Sequence, residues 1–167
     1  MYIRNLKDSV ENFNNEMRKK EGKRELWVTK TKKILMDTLA KIKETYPLGW
    51  DVHEMDKAEN TDGYIISFAD TSIDIAGSTT ENTKSYTKRG GTLAFTQAYN
   101  GDVFVIIVFP IIDELVLAKE PQKVVLRVAP NKITEEFIHM QVANFLDEMV
   151  QWESSSLYND IGFDVKR

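Results

Sequence analysis

Cysteine is absent from this 167-residue chain. That excludes disulfides, thiolate metal sites and a cysteine nucleophile, and it fits a cytoplasmic setting. Histidine is nearly absent: His53 and His139 are the only two. Glu135 and Glu136 precede His139 by four and three residues, so carboxylate and imidazole share a helix face. Carboxylate-bridged di-iron sites need two such motifs and two further glutamates. The run His53-Glu54-Met55-Asp56 reads as a strand end. No metal and no cofactor is expected.

Long hydrophobic runs are also missing. The longest apolar stretch, from Val103 to Ile112, is interrupted by Pro110 and is half of the roughly 20 residues a membrane span requires. The opening residues Met1 to Asp8 place charge where a signal peptide carries its apolar segment. Neither a membrane nor an export role is expected. There is no Gly-x-Ser-x-Gly, and Gly77-Ser78-Thr79 lacks the strand–turn–helix context of a nucleophile elbow. Asp and Glu are scattered with no marked pair for acid–base work. None of these catalytic signatures is supported by the sequence.

What is present is the composition of one globular domain, 42% hydrophobic and 29% charged. A chain this long buries roughly 70% of its unfolded surface, enough for a core without staples. The net charge of −4 is unevenly placed. Residues 1–50 carry +5 and residues 51–167 carry −9. Eight of the basic residues lie within 18–33, among them Arg18, Lys19, Lys20, Lys23 and Arg24. Such asymmetry marks an interaction surface, or two halves that attract each other.

Leu6, Val10, Phe13 and Met17 recur at intervals of four, three and four, a narrow apolar stripe on a helix of about four turns. Gly22 is expected to break or bend that helix. A second helix follows, with Leu26, Ile34, Leu35, Leu39, Ile42 and Tyr46 on one side, and Pro47 and Gly49 stop it. From Trp50 the period becomes that of strands: Trp50 and Val52, then Tyr64–Ala69, then Ile73 and Ile75. Asn100-Gly101 between two β-rich runs reads as a two-residue hairpin turn. That turn sets Phe95 opposite Ile106 and Leu93 opposite Val108. Val103–Phe109, apolar on both faces, reads as a central strand covered on both sides. Val124–Val128 forms a further strand between Pro121 and Pro130. The last helix follows, capped by Asn131 or Thr134 and running to about Ser154 with Ile138, Val142, Phe145, Met149 and Trp152 along one stripe. Ile161, Phe163 and Val165 alternate like an edge strand in the 154–167 tail.

The order predicts one α+β domain over 1–167, with N-terminal helices, a mostly antiparallel sheet of about five or six strands and a C-terminal helix packed on it. Three functional surfaces compete. The first is the N-terminal helix, on which Leu6, Val10, Phe13 and Met17 offer a seam to another polypeptide, self or foreign, steered by Arg18, Lys19, Lys20, Lys23 and Arg24. This points to a non-enzymatic interaction protein with a chaperone-, immunity- or inhibitor-like role. The second is the polar segment 77–91, read as a long loop. It holds seven hydroxyls with Lys84, Lys88 and Arg89 between flanking glycines, the donors a phosphate or nucleotide needs. The third is nucleic acid, through the 18–33 cluster with Trp27 as a stacking residue. An acidic chain with no groove-reading motif argues against it.

Overall fold

The computed structural model describes residues 5–55, 62–76, 83–113 and 121–154. Among the described residues, three α-helices and eight strands follow in order: α1 (Leu6–Leu26), α2 (Lys32–Thr45), β1 (Trp50–Glu54), β2 (Gly63–Phe68), β3 (Thr71–Ala76), β4 (Thr83–Arg89), β5 (Thr92–Gln97), β6 (Val103–Val108), β7 (Ile111–Ile112), β8 (Gln122–Val128) and α3 (Glu135–Glu153). One sheet runs β1-β2-β5-β6-β8 and a second runs β3-β4-β7. Every pairing among the described residues is antiparallel. This is the expected α+β class with a five-stranded main sheet.

Gly22 does not break the first helix. It faces open space, and a glycine in an exposed helix interior costs only about 1 kcal/mol against alanine. Instead α1 continues through a π-helical segment, Trp27–Thr31, into α2. The joined rod spans Leu6 to Thr45, roughly 60 Å at 1.5 Å per residue. The π segment serves the core. Trp27, Thr31, Leu35 and Leu39 are all buried, and a strict four-residue spacing drifts about 40° per step around an ideal α-helix. The wider π turn takes up part of that drift, so all four side chains face inward.

The core lies between one face of the main sheet and the pair α2 and α3. Leu35, Leu39 and Ile42 from α2 and Ile138, Val142, Phe145 and Met149 from α3 meet Ile66, Leu93, Phe95, Val103, Val105 and Ile107. Trp50 stacks on Phe68 at 5.5 Å between ring centroids, and Phe68 meets Phe145 at 5.8 Å. The α3 cap is Thr134, whose Oγ1 accepts from Phe137 N at 3.1 Å.

The hairpin forms where expected, with its register shifted by one. Phe95 pairs with Val105 and Leu93 with Ile107, not with Ile106 and Val108. The loop holds three residues, Tyr99 to Gly101: Ala98 N donates to Asp102 O and Gly101 N to Ala98 O. Gly101 sits at φ 90°, the left-handed position that closes a three-residue hairpin loop with a bulge. A one-residue slip turns a strand over. Val103, Val105 and Ile107 therefore face the core, while Phe104 and Ile106 are half-buried on the opposite face. The expectation of full cover on both sides of β6 is corrected accordingly.

The polar stretch 77–91 is not one long loop. Its second half is β4, paired with β3 from Ala76↔Thr83 to Thr71↔Lys88. Its composition is polar because Ser85, Thr87 and Arg89 are exposed, while Tyr86 and Lys88 are half-buried on the other side. The remainder, 77–82, lies outside the described residues, as do the alternating residues of the 155–167 tail.

The two sheets share chain paths. β2 leads into β3, β4 into β5 and β6 into β7, so three adjacent strands of the main sheet continue into the second. They turn a common corner at residues 69–70, 90–91 and 109–110. Gly90 and Gly91 belong to this corner. A Cβ on Gly90 would stand 2.1 Å from the Phe68 carbonyl oxygen, and one on Gly91 2.3 Å from Met149 Sδ. Close packing is reason enough for the paired glycines.

Candidate partner-binding helix and its anchor

Among the described residues none of α1 is buried. Leu6 is 76% exposed, Val10 50%, Phe13 63% and Met17 38%. The stripe therefore seals no part of the described core. The helix forms without that burial for two reasons. Its N-terminus is capped, with Lys7 N donating to Asn5 Oδ1 at 3.2 Å and Asp8 in the first turn. Its C-terminus is already nucleated by the buried rod, so only the cheap propagation step remains.

The last two turns of α1 are held by the β5–β6 hairpin. Asp102 is buried and receives Lys23 Nζ on Oδ1 and Arg127 Nε on Oδ2, each at 2.7 Å. Asn100 Nδ2 donates to Oδ2 as well, at 3.0 Å. Lys20 Nζ lies 3.4 Å from the centre of the Tyr99 ring, and Arg24 Nη2 donates to the Tyr99 carbonyl at 2.9 Å. Part of the basic cluster is thus taken up within its own chain, Lys23 by an acid and Lys20 and Arg24 by Tyr99. Lys20, Lys23 and Arg24 are engaged at the hairpin. Arg18 is exposed, and Lys19 pairs with Glu16 at 2.8 Å on the projecting half.

The hydrogen bond from Lys23 holds the Asp102 carboxyl below its ordinary pKa, against burial and with help from Arg127 and Asn100. A carboxyl whose pKa is depressed on folding contributes stability above its unfolded pKa and loses that contribution as pH falls through the folded value. Thermal unfolding followed from neutral to acid pH should therefore show a loss that Asp102→Asn removes. An unchanged pH profile in that variant would show that other carboxylates dominate.

Trp27 is fully buried, and its Nε1 donates to Asp62 Oδ2 at 2.8 Å. It is not available to stack on a nucleic-acid base. Lys84 lies in β4 opposite Ile75, with its side chain outside the described set. Lys88 pairs with Glu153, and Arg89 with Asp113 at 3.0 and 3.3 Å. Those two cations are neighbours on a strand and reach different carboxylates, so they do not converge on one point. His139 lies 3.9 Å from Glu135, both exposed, and His53 3.8 Å from Asp51. Among the described residues no three potential ligands gather to hold a metal, and no helix is long and apolar enough to cross a membrane.

The exposure of the 6–17 stripe and its anchoring at Asp102 required the tertiary structure. The anchor left one trace in the sequence: Asp102 follows Asn100-Gly101 at the hairpin tip, where an acidic residue faces no local cation. Comparison with protein-family models, curated proteins and solved structures finds no match to this chain.

Proposed function

We propose that this protein is a non-enzymatic interaction module that takes hold of another polypeptide with the projecting half of α1. A cytoplasmic setting accords with the absence of cysteine. The observation that carries the proposal is the seam itself: four apolar side chains at heptad-like spacing, exposed on a helix that buries nothing of its own. The complementary surface is the apolar stripe of one facing helix, from a second copy or a different protein.

Magnitudes set the kind of complex. Burying four such side chains contributes roughly 6–12 kcal/mol gross. Association costs about 4–15 kcal/mol in lost freedom. The difference is at most about 8 kcal/mol, so the seam alone supports a weak, exchanging complex with a dissociation constant no tighter than roughly micromolar. Because Lys20, Lys23 and Arg24 are engaged internally, association should depend only weakly on salt.

The test changes Val10 and Phe13 together to Asp. Both are exposed, and exposed substitutions usually alter stability by less than about 0.5 kcal/mol, so the domain should stay folded. Self-association is read by sedimentation, and foreign partners by capture from native lysate with intact mass of the complex. The control places the same charges on the opposite face, Asn12→Asp with Asn15→Asp. Loss of the complex in the first variant but not the second supports the proposal. Equal association in both, or unfolding of the first, refutes it.

A further inference from the structure

We propose that the corner between the two sheets is a binding site for an uncharged, lipid-like small molecule. The corner is concave because three strand paths turn there while α3 runs straight past. The hollow measures about 860 Å³, within the range of small-molecule sites. Its walls are apolar: Leu48, Phe68, Pro110, Leu146, Met149 and Val150. A smaller hollow of about 270 Å³, between the end of α2 and α3, shares Leu48 and Leu146 with it. Leu48 and Leu146 border both, so the apolar trough at the corner adjoins a second apolar hollow, a lining suited to an aliphatic chain.

The polar groups gather at one rim. Thr71 and Lys88 are cross-strand partners, and Glu153 and Ser154 come from the end of α3. The charge at this rim is already balanced. Lys88 is bound by Glu153 and lies 5.2 Å from the centre of the Trp152 ring. Ser154 Oγ donates to the Val150 carbonyl at 2.7 Å. An anionic head group would meet the Glu153 carboxylate and the negative end of the α3 dipole. A cationic one would meet Lys88. A charged head of either sign joins a pair already matched in charge and leaves one charge in excess at the rim, which costs free energy beside the partly buried Lys88. An alcohol or ester imposes no such cost and finds hydrogen-bonding partners at the rim. The same pairing commits the Lys88 charge to Glu153.

The experiment uses the whole chain and an uncharged fluorescent probe, N-phenyl-1-naphthylamine. Saturable, equimolar binding with enhanced emission is expected. Dodecanol should displace the probe, and laurate should do so on the order of tenfold less well, a difference of about 1.4 kcal/mol. Two variants locate the site. Val150→Trp fills the trough from a position 66% exposed in the free protein, and should abolish probe binding. Leu48→Arg, at the junction of the two hollows, blocks it independently should the first variant misfold. Glu153→Gln leaves Lys88 without its carboxylate, and should reverse the preference toward laurate. Absence of saturable binding, equal displacement by alcohol and acid, or an unaltered preference in Glu153→Gln would each overturn the proposal. Survival of binding in folded Val150→Trp and Leu48→Arg proteins would do the same.

Discussion

Trp27→Ala is expected to lower the free energy of unfolding by about 3–5 kcal/mol, the cost of truncating a large buried aromatic. For a domain of this size that corresponds to roughly 10 °C in melting temperature. Trp27 is fully buried at the start of the π segment, so the cavity opens where the rod passes from its exposed half to its buried half. The substitution also removes the indole donor from Asp62. Lys32 remains on that carboxylate at 2.8 Å. Burial works against the lysine charge, but the hydrogen bonds to Asp62 and Glu54 outweigh it and hold the Lys32 pKa above the ordinary range. Trp27→Phe separates the two losses. It keeps most of the volume and gives up the hydrogen bond, and should cost about 1–2 kcal/mol. Urea unfolding of the three proteins checks this. A loss under about 1 kcal/mol for Trp27→Ala would mean that the surroundings collapse to fill the site.

Gly101→Val is expected to cost about 3 kcal/mol. A branched residue at φ 90° carries strain on the order of 1–3 kcal/mol. Its Cβ would also stand 2.6 Å from Lys23 Cβ and 3.2 Å from the Lys20 carbonyl oxygen, against the rod itself. Relief requires the hairpin tip and α1 to part, which pulls Lys23 off Asp102. The variant should therefore lose stability and also become sensitive to limited proteolysis within α1. Gly22→Ala is the counterpart. That glycine meets nothing within 4 Å, and alanine there should stabilise by about 0.5–1 kcal/mol. Opposite signs at two glycines of one neighbourhood test the claim that the hairpin tip is a seat for the helix. Destabilisation of Gly101→Val without increased cleavage of α1 would confine the effect to the turn.

The sequence by itself determined the elements whose signals are local. Asn131 or Thr134 ahead of Glu135 and Glu136 announces the start of α3, because a side-chain oxygen must satisfy the open N–H groups of a first turn. Leu35, Leu39 and Ile42 announce the buried face of α2 through their period. Asn100-Gly101 announces the reversal between β5 and β6. The 4-3-4 spacing of Leu6, Val10, Phe13 and Met17 likewise announces an apolar stripe on α1.

Only the tertiary structure decided the rest. A turn of Tyr99, Asn100 and Gly101 rather than Asn100 and Gly101 differs by a single loop residue, yet it turns β6 over, and the choice is made by which face meets α2 and α3. Gly22 reads as a break because its cost is local, whereas the buried half of the rod that carries the helix through it lies further along the chain. Trp27 stands in a basic run and reads as an exposed aromatic. Once buried, its indole N–H is satisfied by Asp62, thirty-five residues away. The corner trough is assembled from residues between Leu48 and Ser154. No single segment carries its pattern, because a cavity is a property of surfaces brought together rather than of any one of them.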